Sequence, residues 1–269
     1  MLLGIGSYTF PWACGVPGSD FPQIIFAKDL IDIASANGLM IVQYGDNMPL
    51  HLLSAKELTK LKTQADESGI QIEVGARGLR KENIICYLEI AKKLQSPFIR
   101  FIIDEAGYQP SVDEVITEIK SVLPLLKEAV IKLAIENHDR FKAPSLIKII
   151  EETDPEWAGI CLDTCNSIGA GESLYDTVSI LAPYTINLHI KDVIIQRLTH
   201  KMGFIVEGVA AGLGMIDIPW VLEQLEPFGK CKTAIIELWI SPEGSEAATF
   251  EKEKTMALKS IQYLKYLQV

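Results

Sequence analysis

Four short apolar runs in the second half of the chain end in side chains that can hold a metal ion or move a proton. Leu133-Ala134-Ile135 leads into Glu136-Asn137-His138, and Gly159-Ile160-Cys161-Leu162 into Asp163-Thr164-Cys165-Asn166. Asn187-Leu188 leads into His189-Ile190-Lys191-Asp192, and Ala234-Ile235-Ile236 into Glu237-Leu238-Trp239. Taken singly, each acid reads as a helix cap or surface carboxylate, and the histidine as an ordinary hydrogen-bonded one. Taken together they form a pattern, because ligand-type groups end consecutive apolar runs. If the runs are parallel strands of a barrel, their C-terminal ends meet on one face. Glu136, Asp163, His189 and Glu237 then bring three carboxylates and one imidazole to a common point. Three anions crowded in a low-dielectric pocket repel strongly, and a divalent cation removes that penalty. An oxygen-rich set with one imidazole favours Mn2+ or Mg2+, with Co2+ and Zn2+ as alternatives.

Convergence of this kind needs a particular scaffold. Apolar runs at 3–7, 39–44, 70–74, 98–102, 132–136, 159–163, 187–191 and 234–238 recur at intervals of roughly thirty residues. Between them lie amphipathic stretches, among them 54–68, 82–94, 112–128, 144–152 and 251–267. Eight near-continuous apolar strands, each followed by a helix, favour a closed (β/α)8 TIM barrel of the α/β class. An open doubly wound sheet would carry a glycine-rich phosphate loop after the first strand, and Gly4, Gly6, Gly15 and Gly18 lack that spacing. No linker, charge block or low-complexity tract divides the chain, so a single domain over 1–269 is expected. The segment 193–216 stands apart as a long connection containing Gly203, Gly208, Gly212 and Gly214. In a barrel it overhangs the C-terminal mouth, either as a flexible excursion or as a substrate lid.

Composition narrows the partners. A net charge of −10 without a local basic stripe argues against nucleic acid. The five cysteines are scattered and form no paired metal-binding or disulfide framework; Cys86 and Cys161 lie in apolar stretches, as core thiols do. The first ten residues lack the basic segment and cleavage site of a secretory signal, and no apolar run is long enough to span a membrane. A small-molecule partner in a reducing cytoplasm is expected, with a homo-oligomer left open.

The ordered set ENH, LDTCN, HIKD and IIE resembles the xylose-isomerase-like sugar phosphate isomerase/epimerase superfamily, and Gly212-Leu213-Gly214-Met215-Ile216-Asp217 resembles its GxGxxD segment. The resemblance covers essentially the whole chain. It implies that Glu136, Asp163, His189 and Glu237 occupy metal-ligand positions. It further implies that the two glutamates exchange a substrate proton, as they do in ketose epimerases. Asn166 stands where the family often has histidine; asparagine can hydrogen-bond a hydroxyl but carries no proton at neutral pH. Arg197 is near, but out of register with, the arginine of the epimerases.

The mechanism expected is proton transfer next to the ketone of a small sugar, sugar phosphate or polyol. A metal grips the ketone oxygen and a neighbouring hydroxyl, and Glu136 or Glu237 removes the proton to form an enediolate. Return of the proton gives an isomerase or epimerase; expulsion of a neighbouring group gives a dehydratase or other lyase. Two remote readings are a metal-dependent endonuclease, which would want more than the four histidines present, and a non-catalytic carbohydrate-binding barrel. His138 and Lys191 share sides with Glu136 and His189 and are candidates for substrate oxygens. Trp12 is a candidate aromatic wall, Asn166 a hydroxyl partner, and Arg100 either an anion holder or the ion-pair partner of Glu73.

Overall fold

The computed structural model describes residues 1–16 and 18–269. Its strands are β1 (Leu2–Gly6), β2 (Ile41–Tyr44), β3 (Gln71–Arg77), β4 (Phe98–Ile102), β5 (Lys132–Glu136), β6 (Ala158–Asp163), β7 (Thr185–Ile190), β8 (Asp192–Arg197), β9 (Phe204–Val209) and β10 (Thr233–Ile236). The helices are α1 (Pro11–Cys14), α2 (Ala27–Ala36), α3 (Ala55–Glu67), α4 (Lys81–Leu94), α5 (Val112–Ala129), α6 (Ala143–Glu152), α7 (Leu174–Leu181), α8 (Ile218–Leu225) and α9 (Glu246–Tyr266). Eight strands close in the order β1-β10-β7-β6-β5-β4-β3-β2, every pair parallel. The expected (β/α)8 barrel is the fold.

Both faces of these strands are covered, one by the opposite strands and one by helices, so β2 and β4 are buried at every residue. That is why they read as unbroken apolar runs. β4 and β5 fall on the expected bounds, but β2 starts at Ile41 because Leu39 still bonds to Ala34 in the turn after α2. Several of the helices begin where the sequence supplies caps. Ser54 with Glu57, and Ser111 with Glu114, exchange the reciprocal side-chain to backbone bonds that satisfy the first free N–H groups of α3 and α5. α9 starts at Glu246 rather than 251, since Ser245 accepts from the Ala248 N–H.

Two sequence readings need correction. Segment 193–216 is not a plain connection: β8 and β9 pair antiparallel from Asp192↔Val209 to Arg197↔Phe204, and the rest of it forms the glycine turn into α8. Cys86 is exposed on α4, whereas Cys161 is buried as expected. All five cysteines are free. Among the described residues no helix is long and apolar enough to cross a membrane.

The turn after the hairpin is tied to the barrel by Asp192, whose carboxylate accepts the backbone N–H groups of Val193, Gly212, Gly214 and Ile216 at 2.9–3.0 Å. Only glycine fits at position 214, because a Cβ there would lie 2.1 Å from Asp192 Oδ1. The HIKD aspartate and the glycine segment therefore form one structural joint at the mouth.

Candidate active site

Glu136 ends β5, Asp163 ends β6, His189 lies one residue before the end of β7, and Glu237 follows β10 directly. Asp163 is in register with His189, and none of the four is more than 3% exposed. Their side chains meet as expected. His189 Nδ1 is 3.2 Å from Glu237 Oε1, 3.3 Å from Glu136 Oε2 and 3.9 Å from Asp163 Oδ2.

The far side of the imidazole sets which nitrogen does what. His189 Nε2 is 2.6 Å from Gln43 Oε1, while Gln43 Nε2 donates to Glu73 Oε2 at 3.0 Å and to Asn187 Oδ1 at 3.1 Å. Both amide hydrogens thus have acceptors, so the Gln43 oxygen must face the ring and accept from Nε2–H. In a neutral ring the lone pair then lies on Nδ1, which is buried and lacks a hydrogen-bond partner among the described residues. A lone pair aimed at three carboxylates calls for a positive charge between them. Burial opposes a proton on this ring, but Glu237 and Glu136 outweigh it and raise its pKa.

Two built-in cations share the cluster. Arg100 Nε donates to Glu136, and its Nη1 lies 3.3 Å from Asp46 Oδ1. Burial works against the charge on Glu136, yet Arg100 and then His189 hold its carboxyl well below the usual range. Lys191 Nζ bonds Asp163 and lies 2.8 Å from Glu237 Oε2. Asn166 Nδ2 donates to Glu136 Oε1 at 2.8 Å, and its backbone N–H, with that of Cys165, anchors Asp163 Oδ1. Of the two readings open for Arg100, the pairing with Glu73 does not occur; its partners are Glu136 and Asp46. Arg100 is in register with Gly75, two residues nearer the mouth, and its Cδ lies 3.2 Å from where a Gly75 side chain would begin.

The other sequence candidates lie further out. His138 turns to Asp139, with Nδ1 2.9 Å from Oδ2. Trp12 sits at the rim, donating its indole N–H to the Ile240 carbonyl at 2.7 Å and stacking on Phe21. With Tyr8, Val206 of the hairpin and Trp239 it lines a groove of about 410 Å³. Sequence reasoning missed Gln43, Asp46, Tyr8 and Arg77, which all come from the first three strands and the turns after them. Of these Gln43 carried a signal, as the one polar residue of its apolar run.

The donor set suits a divalent cation. Each carboxylate points one oxygen toward the orphaned Nδ1, and Asp163, His189 and Glu237 offer ligand atoms within 4.8 Å of one another. Cys161 is as close to Glu136 and His189; burial raises its thiol pKa, and its Sγ lies 3.1 Å from Asn187 Oδ1.

Comparison with known proteins gives the setting. A family model described as xylose isomerase-like TIM barrel matches residues 31–267. The 3-oxo-isoapionate decarboxylase of Pectobacterium atrosepticum is 29% identical to this chain, over 98% of it and 95% of the relative. D-psicose 3-epimerase of Clostridium cellulolyticum, solved with D-tagatose, matches at a TM-score of 0.72 and 16% identity, over 99% of this chain and 98% of its own. A xylose isomerase-like TIM barrel protein from Mycobacterium smegmatis, solved in complex with magnesium, matches at 0.68 and 14%, over 97% of each chain. At these identities the two solved structures speak for the fold alone. The matched segment takes in all but the first strand of the barrel and every residue of the cluster, and the chain belongs to the xylose isomerase-like TIM barrel family.

Proposed function

We propose that this protein is an enzyme that forms and then protonates an enediolate or enolate next to the ketone of a small sugar-derived substrate, with one divalent cation, Mn2+ or Mg2+ first, in its site. The observation that carries this reading is the convergence of Glu136, Asp163 and Glu237 on the unpartnered Nδ1 of His189. Those four residues would hold the cation, which when bound supplies Lewis-acid polarisation of a carbonyl oxygen. Gln43 fixes the imidazole so that Nδ1 faces inward. Lys191, between Asp163 and Glu237, places an ammonium where a substrate oxyanion can use it. Trp12 and Trp239 offer apolar walls at the rim to the C–H faces of a sugar.

The two glutamates are not equivalent. Both oxygens of Glu136 are engaged, one by Arg100 and one by Asn166, which makes it a poor proton acceptor. Glu237 Oε1 has neither a lysine nor an arginine partner among the described residues. Epimerisation needs acids able to act from both sides of the substrate; here Arg100 and Asn166 together hold Glu136, while Lys191 alone is the fixed cation on Glu237. The asymmetry favours the lyase form. In a decarboxylation, a carboxylate on the carbon next to the ketone would leave as CO2, its bonding electron pair would pass into the enolate, and one proton drawn from solvent and relayed by Glu237 would be added to that carbon. Overall similarity to a decarboxylase supports the same choice. The isomerase or epimerase form requires Arg100 or Asn166 to release Glu136. We place the enzyme in a reducing cytoplasm, which suits five free thiols.

The test is incubation of Mn2+-loaded protein in D2O with ketoses and 3-oxo sugar acids, followed by NMR. Loss of CO2 with one deuterium gained supports the lyase; deuterium gained with the formula retained supports the isomerase. Neither outcome on any substrate overturns the reading.

A further inference from the structure

The mouth of the barrel carries a cation that the chemistry above does not use. Glu73, Gly75 and Arg77 alternate onto one face of β3, and Glu73 meets Gln43 inside the barrel. Arg77, the last of the three, therefore stands on that face at the open end. Its Nε donates to Asp46 Oδ2 at 2.8 Å, and the other Asp46 oxygen faces Arg100. One carboxylate is thus shared by two guanidinium groups. Among the described residues Nη1 and Nη2 of Arg77 have no partner, and the side chain is 34% exposed. Burial opposes its charge, but Asp46 more than restores it. Arg80, the next cation along, is already spent on Glu105 and on the ring of Tyr108.

Tyr8 packs against the turn after β2 that carries Asp46. Its carbonyl accepts from the Leu238 N–H, and its ring packs on Gly45, where a Cβ would come within 2.9 Å of the ring edge. The hydroxyl has no partner among the described residues. Burial and Asp46 push its pKa up, so the phenol keeps its proton and remains a donor. Asp46, Glu237, Arg77 and Arg100 are the charges that bear on it.

A guanidinium fork with free donors matches the planar oxygen pair of a carboxylate or the oxygens of a phosphate, and an O–H alongside adds a third donor. We propose that Arg77 and Tyr8 form an anion-recognition subsite at the rim, which takes a carboxylate or phosphate group carried by the substrate. The proposal rests on the reading of this mouth as a sugar-binding active site, and it adds which side chains recognise an anionic group of the substrate.

Calorimetric titration of the Mn2+-loaded protein with ribitol, ribonate and ribitol 5-phosphate tests it. At least one of the two anions is expected to bind tenfold or more tightly than ribitol, and the tighter one identifies the group. Arg77→Met should bring that anion to within about threefold of ribitol while leaving ribitol itself unchanged. Arg77→Lys, which keeps the charge without the fork, should fall between, and Tyr8→Phe should cost a few-fold. Chelation of the cation by ribonate is common to all the proteins, so it cancels only when ribonate binding to Arg77→Met is compared with ribonate binding to the wild type, and for ribonate that loss is the quantity read. The subsite is overturned if neither anion outbinds ribitol in the wild type, or if the advantage survives in Arg77→Met. The parent reading stands or falls on turnover in D2O, which these titrations do not touch.

Discussion

Gln43→Met tests the most specific link in the proposed site, the clamp on the back of the His189 imidazole. Methionine is close to glutamine in length and fills the same space, but it has no strong acceptor for His189 Nε2–H and no donor for Glu73 or Asn187. His189 is fully buried, so water cannot replace the lost partner. Leaving that N–H unmet costs about 1–3 kcal/mol, part of which the ring can recover by turning or by moving its proton to Nδ1. Either escape removes the lone pair that faces Glu136, Asp163 and Glu237. Loss of an orienting partner behind a metal-bound histidine typically costs about 10–100-fold in metal affinity, or roughly 1.4–2.7 kcal/mol. The assay is competition for Mn2+ against a fluorescent chelator, with circular dichroism to confirm that the variant is folded. A folded Gln43→Met protein that binds Mn2+ within twofold of the wild type would refute the reasoning.

The other expectations concern charge. Arg100→Met strands Glu136 and leaves Asp46 with Arg77 alone in a buried site, and should destabilise the protein by about 3–5 kcal/mol in urea unfolding; a loss under 1 kcal/mol would mean that the pair adds little. Glu237→Gln should nearly abolish turnover while the thermal midpoint changes little, and near-normal activity would remove Glu237 from the chemistry. Away from the site, burial raises Glu253 to about 7 although it accepts the Trp12 and Ala13 N–H groups. Because its folded pKa lies above the unfolded one, its contribution is fully present below about pH 4.5 and is lost as pH rises through about 7, at most about 3 kcal/mol. Glu253→Gln should flatten that part of the stability curve; an unchanged difference between about pH 5 and about pH 8 would rule burial out as the cause.

The barrel was legible because its strands are covered on both faces, so the apolar runs stand out from the amphipathic helices between them. The four clustered residues were legible for the same reason: each is a charged or imidazole group closing such a run. Arg100 was visible as a misfit in β4, but its partner was not, because that depends on register. Alignment of Arg100 with Gly75 moves it away from Glu73 and toward Asp46 and Glu136. The hairpin escaped notice because both its strands are largely open to solvent. Ile195 is 44% and Phe204 58% exposed, so apolar residues there do not mark an interior, and the nearby glycines suggest a loop. Tyr8 and Asp46 sit in the turns after β1 and β2, and only closure of the barrel brings them beside Glu136 and Glu237.

Crystals soaked in Mn2+ and measured at the manganese absorption edge decide the central point. An anomalous peak is expected within bonding distance of His189 Nδ1 and of one oxygen each from Glu136, Asp163 and Glu237, with Gln43 still on Nε2. An empty map between those side chains, with Lys191 and Arg100 holding the carboxylates alone, would contradict a metal centre at this site.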